Sequence, residues 1–188
     1  MQKTNKLWQA AVAVSASSVL AFSAFGYGQS DSSAASSTES GASSGRGAKG
    51  PSGLNDRNQQ VIKEFRANQG KVGGRYAEVP LLLLTTTGAK SGRALTRPLA
   101  YTRDGERLVV IASFGGGPKN PAWYHNLVAH PEATVEVGSD RFRVKATVAS
   151  GKERQRLYAR QAAQLPAFAE YEKKTTRQIP VIVLTRLD

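Results

Sequence analysis

The sequence predicts an α+β fold, mainly antiparallel β, whose sheet closes on itself with helices at its flanks. Three observations predict it. Apolar runs of strand length follow one another closely between Val79 and Leu187. Turn signals separate them at Gly88–Gly92, Asp104-Gly105 and Gly138-Ser139-Asp140, and short turns join antiparallel neighbours. The regular alternation of strand and helix that a parallel sheet requires is missing, which argues against a Rossmann arrangement.

The elements follow in order. Asn55 is placed to cap a helix over Asp56–Asn68, with Val61, Ile62 and Phe65 on one stripe and Gly70 as its stop. Val79–Thr87 holds four consecutive leucines, as in a strand buried on both faces. Leu95–Thr102 and Arg107–Ser113 are the second and third strands. A Gly/Pro-rich loop, Phe114–Pro121, leads into a short helix over Ala122–Ala129. Thr134–Val137 and Arg141–Val148 form another hairpin. Lys152–Leu165 is an amphipathic helix, and Ile179–Leu187 is the closing strand.

This folded domain occupies 54–188. Residues 1–28 differ from it: Lys3 and Lys6 precede Leu7–Gly28, which carries no charge. That is the pattern of a secretory signal, or of a single membrane anchor, against a disordered Ala/Ser-rich extension. It places the protein at or beyond the membrane, in the cell envelope, unless the segment is not a working signal and the chain stays cytoplasmic. Residues 29–53 are dominated by Ser, Gly and Ala, so they have too little apolar surface to offset ordering entropy and read as a disordered linker.

Composition narrows the chemistry. The chain has 188 residues and a formal charge of +12. Residues 1–50 contribute +2 and the rest +10, so the domain attracts anions. There is no cysteine, which excludes disulfides, thiol nucleophiles and zinc–thiolate sites. The only histidines are His125 and His130, which disfavours a multi-histidine metal centre.

Three stretches carry candidate chemistry. In Gly88–Leu99, two glycines permit a tight turn and Lys90, Arg93 and Arg97 supply cations, with Ser91 as a further donor. Such a turn suits a phosphate or carboxylate; the bland reading is a solvated turn. In Ile111–Asn126, three consecutive glycines after a strand give a flat ligand room at the backbone. Trp123 and Tyr124 open the next helix, either as an aromatic wall or, for Trp123, as core. In Leu165–Pro180, Phe168 and Tyr171 lie three apart and share a helical face. No Ser–His–acid set is apparent, so hydrolysis is disfavoured. A cationic turn, a glycine loop and an aromatic lining suit a cofactor that brings its own reactivity.

The blocks LLLLTTTGAKSG, RPLAYTRDG, VVIASFGGGPKNPAWYHNL and TTRQIPVIVL, the last preceded by Tyr171, resemble the deazaflavin (F420)-dependent nitroreductase family, which includes F420H2-dependent quinone reductases. The resemblance runs from about Asn55 to Leu187. It implies a split β-barrel that binds coenzyme F420, an 8-hydroxy-5-deazaflavin with a phosphodiester and an oligoglutamate tail. Carried over by position, it implies that Lys90 and Ser91 hold the phosphate and tail region. Arg97 stands in for an arginine that relatives carry at the position of Leu95. Pro98 and Leu99 follow the ligand's path. Ile111, Ala112, Ser113, Gly115 and Gly116 line the ring, and Ala122, Trp123, Tyr124 and Asn126 close the site. Tyr171 and Phe168 face the substrate. Some relatives have Lys where this chain has Phe114, and a substrate-side Tyr is replaced by Phe168.

The resemblance implies hydride transfer from reduced F420 to a quinone, nitro-aromatic or activated enone, with Ser113 and Tyr171 as the catalytic pair that hydrogen-bonds the acceptor's oxygen. Two other readings remain. One is an FMN-binding split barrel, since FMN also carries a phosphate. The other is a non-enzymatic basic envelope protein that binds anionic lipid or nucleic acid, although no specific nucleic-acid motif is present.

Overall fold

A computed structural model describes residues 53–187. The signal or anchor expected at 1–28 and the linker expected over most of 29–53 lie outside the described residues.

The chain runs α1 (Leu54–Ala67), a one-turn 3₁₀ segment (Gly74–Tyr76), β1 (Leu81–Thr87), β2 (Ala94–Asp104) and β3 (Arg107–Ile111). A second 3₁₀ turn (Phe114–Gly116) and α2 (Ala122–Ala129) follow. Then come β4 (Glu132–Val137), β5 (Asp140–Ala149), α3 (Gly151–Gln164), α4 (Ala167–Lys173) and β6 (Val181–Arg186). The strands close into an antiparallel barrel in the order β1-β2-β3-β6-β5-β4, with β4 returning to pair with β1. The expected mainly antiparallel α+β fold, a barrel flanked by helices, is what forms.

Strand alternation explains the burial. Successive side chains point to opposite faces. Leu82, Leu84, Leu108, Val110, Ile182 and Leu184 fill the barrel interior. Their neighbours Val109, Ile111, Val181 and Val183 face outward and meet Leu157, Tyr158 and Phe168 of α3 and α4. Leu81 and Leu83 meet Val61, Ile62 and Phe65 of α1. So the uninterrupted apolar runs belong to strands covered on both faces. β5 has no such cover: Val144 is buried, whereas Arg141, Arg143, Lys145 and Thr147 are exposed. Each fully buried Leu or Ile contributes about 1.5–3 kcal/mol, which sets the scale of this core.

Two local expectations change. The cap of α1 is Gly53, and no side chain caps it. Asn55 lies inside the helix, where its Oδ1 accepts from Arg97 Nη2 at 3.2 Å. The third strand ends at Ile111 because Ser113 turns into the helical region and the chain then runs through positive φ at Phe114, Gly115 and Gly116. Among the described residues, no helix is long and apolar enough to cross a membrane.

Candidate functional site

The β1–β2 turn is closed by Gly88 N–H donating to the Arg93 carbonyl and Gly92 N–H to that of Gly88. Lys90, Ser91 and Arg93 are exposed on it. Ser91 Oγ accepts from the Arg93 amide at 3.3 Å, which stiffens the turn. The turn is also tethered from outside. Asn126, buried on α2, accepts from Ala89 N–H at 3.0 Å and donates from Nδ2 to Thr86 Oγ1 at 3.0 Å. Its carboxamide therefore serves the turn. Arg97 is also engaged within the fold. Its guanidinium donates to Thr96 O and Asn55 Oδ1, which fastens β2 to α1 rather than adding a cation to the turn.

Pro98 and Leu99 lie mid-strand on β2, opposite Leu83 and Leu82. Both are half-buried, and Leu99 packs on the barrel core. Ile111 and Ala112 turn their side chains into core clusters on opposite faces, so a ligand there would meet only their backbone. Trp123 is buried in the barrel interior and forms no exposed wall. Tyr124 is half-buried, edge-on to His125 with ring centroids 5.4 Å apart. Ala122 is exposed at the start of α2.

The glycine loop divides its work. A Cβ built on Gly115 would meet nothing within 4 Å, so this residue does face open space. One on Gly116 would lie 2.9 Å from the Tyr171 carbonyl oxygen, 3.2 Å from Tyr171 Cα and 2.9 Å from Lys174 Cβ. The face of Gly116 where a side chain would stand is thus the seat for α4. Phe114 holds φ +49 with 46% of its surface exposed, an unusual pair of features in a non-glycine residue.

The loop is gripped by a residue that the sequence reading missed. Arg177 Nε donates to Gly117 O at 2.9 Å and Nη1 to Asn120 Oδ1 at 2.6 Å. Nη2 donates to Ala112 O at 3.1 Å and to Ser113 O at 2.7 Å. No carboxylate pairs with Arg177 in the described ion pairs. Burial lowers its pKa below the usual guanidinium range. The only sequence signal was a cation between polar residues immediately before an apolar strand.

Ser113 is buried, its carbonyl spent on Arg177. Phe168 is buried edge-on to Tyr171, with centroids 5.4 Å apart, and its carbonyl accepts from the Tyr158 hydroxyl at 2.8 Å. Phe168 is largely core; Tyr171 is half-buried and nearer solvent. Burial, followed by the neighbouring Tyr76 hydroxyl, raises the Tyr171 pKa, with Arg75 opposing. Tyr171 is therefore a protonated donor at neutral pH. Tyr76 and Arg75, on the 3₁₀ turn before β1, are further neighbours that the sequence reading did not name. An open groove between α3 and α4, lined by Arg154, Tyr158, Ala162, Glu172 and Lys173 among others, includes none of the expected site residues.

The structure thus joins the expected residues in two groups. Asn126 links the cationic turn to α2. Arg177 and Gly116 link the glycine loop to the approach of β6 and to α4. Chain continuity from Asn120 into α2 connects the groups. Among the described residues, no cluster of His, Asp or Glu could hold a metal ion.

The model of a family described as F420H(2)-dependent quinone reductase matches residues 57–186. The chain is 40% identical over 128 residues to the F420H(2)-dependent quinone reductase Rv1261c of Mycobacterium tuberculosis, a match covering 65% of this chain and 85% of that one. Among solved structures it is similar to an F420-H2 dependent reductase, FDR-A, at 38% identity and a TM-score of 0.53, covering 56% of this chain and 93% of that one. It is also similar to a chain described as a domain-swapped dimer, at 35% identity and a TM-score of 0.55, covering 68% and 94%.

Proposed function

The chain belongs to the F420H(2)-dependent quinone reductase family and is an F420-dependent oxidoreductase; we propose that its acceptor is a quinone and that the cationic turn and the glycine loop form one cofactor site. The residues fit F420 on two counts. Lys90 and Arg93 stand exposed with no carboxylate in the described ion pairs, which suits a phosphodiester and a polyglutamate tail. Gly115 leaves open space beside a backbone where a planar ring can lie.

When bound in reduced form, F420 supplies a hydride. The chain's own residues do the rest. Lys90, Arg93 and the hydroxyl proton of Ser91 hold the anionic end, with Asn126 keeping that turn in place. Pro98 and Leu99 offer an apolar strand surface along the path. Tyr171, a protonated phenol at neutral pH as tyrosines are, donates a hydrogen bond to an acceptor oxygen where negative charge develops, as a preorganised donor should. Ser113 contributes there through its hydroxyl, because Arg177 already occupies its carbonyl. The apolar ring of Phe168 backs Tyr171 and excludes water from that side. Attachment to the envelope through residues 1–28 belongs to the same proposal, since quinones partition into membranes; fractionation of cells with antibody detection tests it.

The observation that carries the assignment of the anion end is the exposed, uncompensated pair Lys90 and Arg93 on a tethered turn. Its test is a titration of F420 into the full chain, followed by deazaflavin fluorescence. Saturable binding that FMN does not displace is expected, and Lys90→Ala weakens it at least several-fold with a shallower salt dependence. Displacement by FMN would favour a flavin enzyme, and an unchanged affinity in Lys90→Ala would sink the assignment of the turn.

A further inference from the structure

We propose that Arg177 is a positioning residue that both fixes the glycine loop and strengthens the outward-facing Phe114 amide as a donor toward an electron-rich ring oxygen. The inference rests on the reading of F420 as the ligand and deepens it. The carbonyls of Ala112, Ser113 and Gly117 all turn toward one guanidinium. The chain has no cis peptide among the described residues, and in a trans peptide the N–H points opposite to the C=O. The Phe114 N–H belongs to the peptide whose carbonyl Arg177 holds at 2.7 Å, so it points away from Arg177. The Gly115 N–H likewise opposes the Phe114 carbonyl, which accepts from Gly117 N–H at 3.0 Å. Among the described residues, neither the Phe114 nor the Gly115 amide finds an acceptor, and Gly115 borders open space.

The successive helical and left-handed conformations of Ser113 and Phe114 form a backbone concavity of the kind that binds anionic oxygens. A charge-assisted hydrogen bond to a peptide's carbonyl polarises the whole unit and makes its N–H a better donor. Arg177 has no carboxylate in the described ion pairs to neutralise it, so its field also reaches the loop. The other charged and titratable groups around it are few. Lys119 is exposed on the loop itself and Lys174 packs at Gly116. On α3 and α4, Arg154 pairs with Glu172 at 2.9 Å, and the Tyr158 hydroxyl is spent on Phe168. Among these charged groups, only Arg177 holds the Ser113 carbonyl, which also accepts from Gly116 N–H at 3.0 Å. The positive φ of Phe114 orients the following peptide, which carries the Gly115 N–H, relative to its own amide.

The test needs no turnover. The oxidised deazaflavin's ring hydroxyl ionises to an anion delocalised onto the pyrimidine oxygens, and absorbance reports that ionisation. Bound to the unmodified chain, the chromophore is expected to ionise at lower pH than when bound to Arg177→Met, by about one unit, and Arg177→Met is expected to bind oxidised F420 about tenfold more weakly. Arg177→Lys retains the charge without the four-acceptor grip, so it weakens binding while keeping most of the shift in ionisation. A folded Arg177→Met with unchanged affinity and ionisation would overturn the proposal. If Arg177→Met does not fold, Arg177→Lys decides: full affinity with an unshifted chromophore overturns the grip. Failure of the unmodified chain to bind F420 at all would instead sink the cofactor reading on which this rests.

Discussion

The β1–β2 turn and the Ala112–Asn120 loop use positive charge in opposite ways. On the turn, Lys90 and Arg93 point outward into solvent and have no partner in the described ion pairs. In the loop, one guanidinium is drawn inward and satisfied by four acceptors, three of them main-chain carbonyls. In the proposed site the turn would offer its cations to the ligand, and it relies on a neutral tether, Asn126, for its position. The loop would offer a main-chain amide, and it relies on a cation for its position. A residue's charge alone therefore does not say whether it recognises a ligand or builds the surface that does.

The glycines give the largest test of that contrast. Gly116→Ala forces a Cβ against the α4 backbone at a positive φ of +83, so it should cost about 3 kcal/mol. A thermal unfolding curve shifted down by several degrees is the expected outcome; an unshifted one would mean that α4 does not seat on this glycine. Asn126→Ala removes two hydrogen bonds of a buried carboxamide and leaves the Ala89 amide unpaired, for about 2 kcal/mol. It should also weaken F420 binding although the turn's cations are untouched. If affinity holds, the turn does not depend on its tether.

Tyr158 tests the support behind the loop. Burial, the largest cause, pushes its hydroxyl up to about 12, above the model-peptide value near 10. Between these values the unfolded chain releases the proton and the folded one keeps it, so stability is intact below about pH 10 and falls as pH rises toward 12. Tyr158→Phe should lose about 1 kcal/mol at neutral pH, from the bond to Phe168, yet show a shallower alkaline decline in a pH series of melting curves. An equal decline would assign it to another group. The smallest effect is expected at Gly92→Ala on the turn. A Cβ there meets nothing within 4 Å, so only the left-handed backbone is strained, at about 1 kcal/mol. A loss as large as at Gly116 would erase the distinction between the two regions.

Much of this was legible in the sequence. Strand periodicity, turn glycines and uninterrupted apolar runs are short-range signals, and they define β1 to β6 and α2 closely. The cationic turn was also legible, because its residues are consecutive. The roles of Trp123, Asn126 and Arg97 were not. Each depends on what lies across the fold: the barrel interior for Trp123, Ala89 and Thr86 for Asn126, and Asn55 for Arg97.

By itself, the sequence determined which segments pair through short turns and where unpaired cations accumulate, since both follow from neighbours a few residues apart. Only the tertiary structure decided that β4 closes on β1, that Gly116 receives α4, and that Arg177 reaches acceptors up to 65 positions away. The reason is physical. A guanidinium with five donors is satisfied by any suitable set of acceptors, and nothing local specifies which set; barrel closure brings β3 and β6 side by side and so supplies these carbonyls.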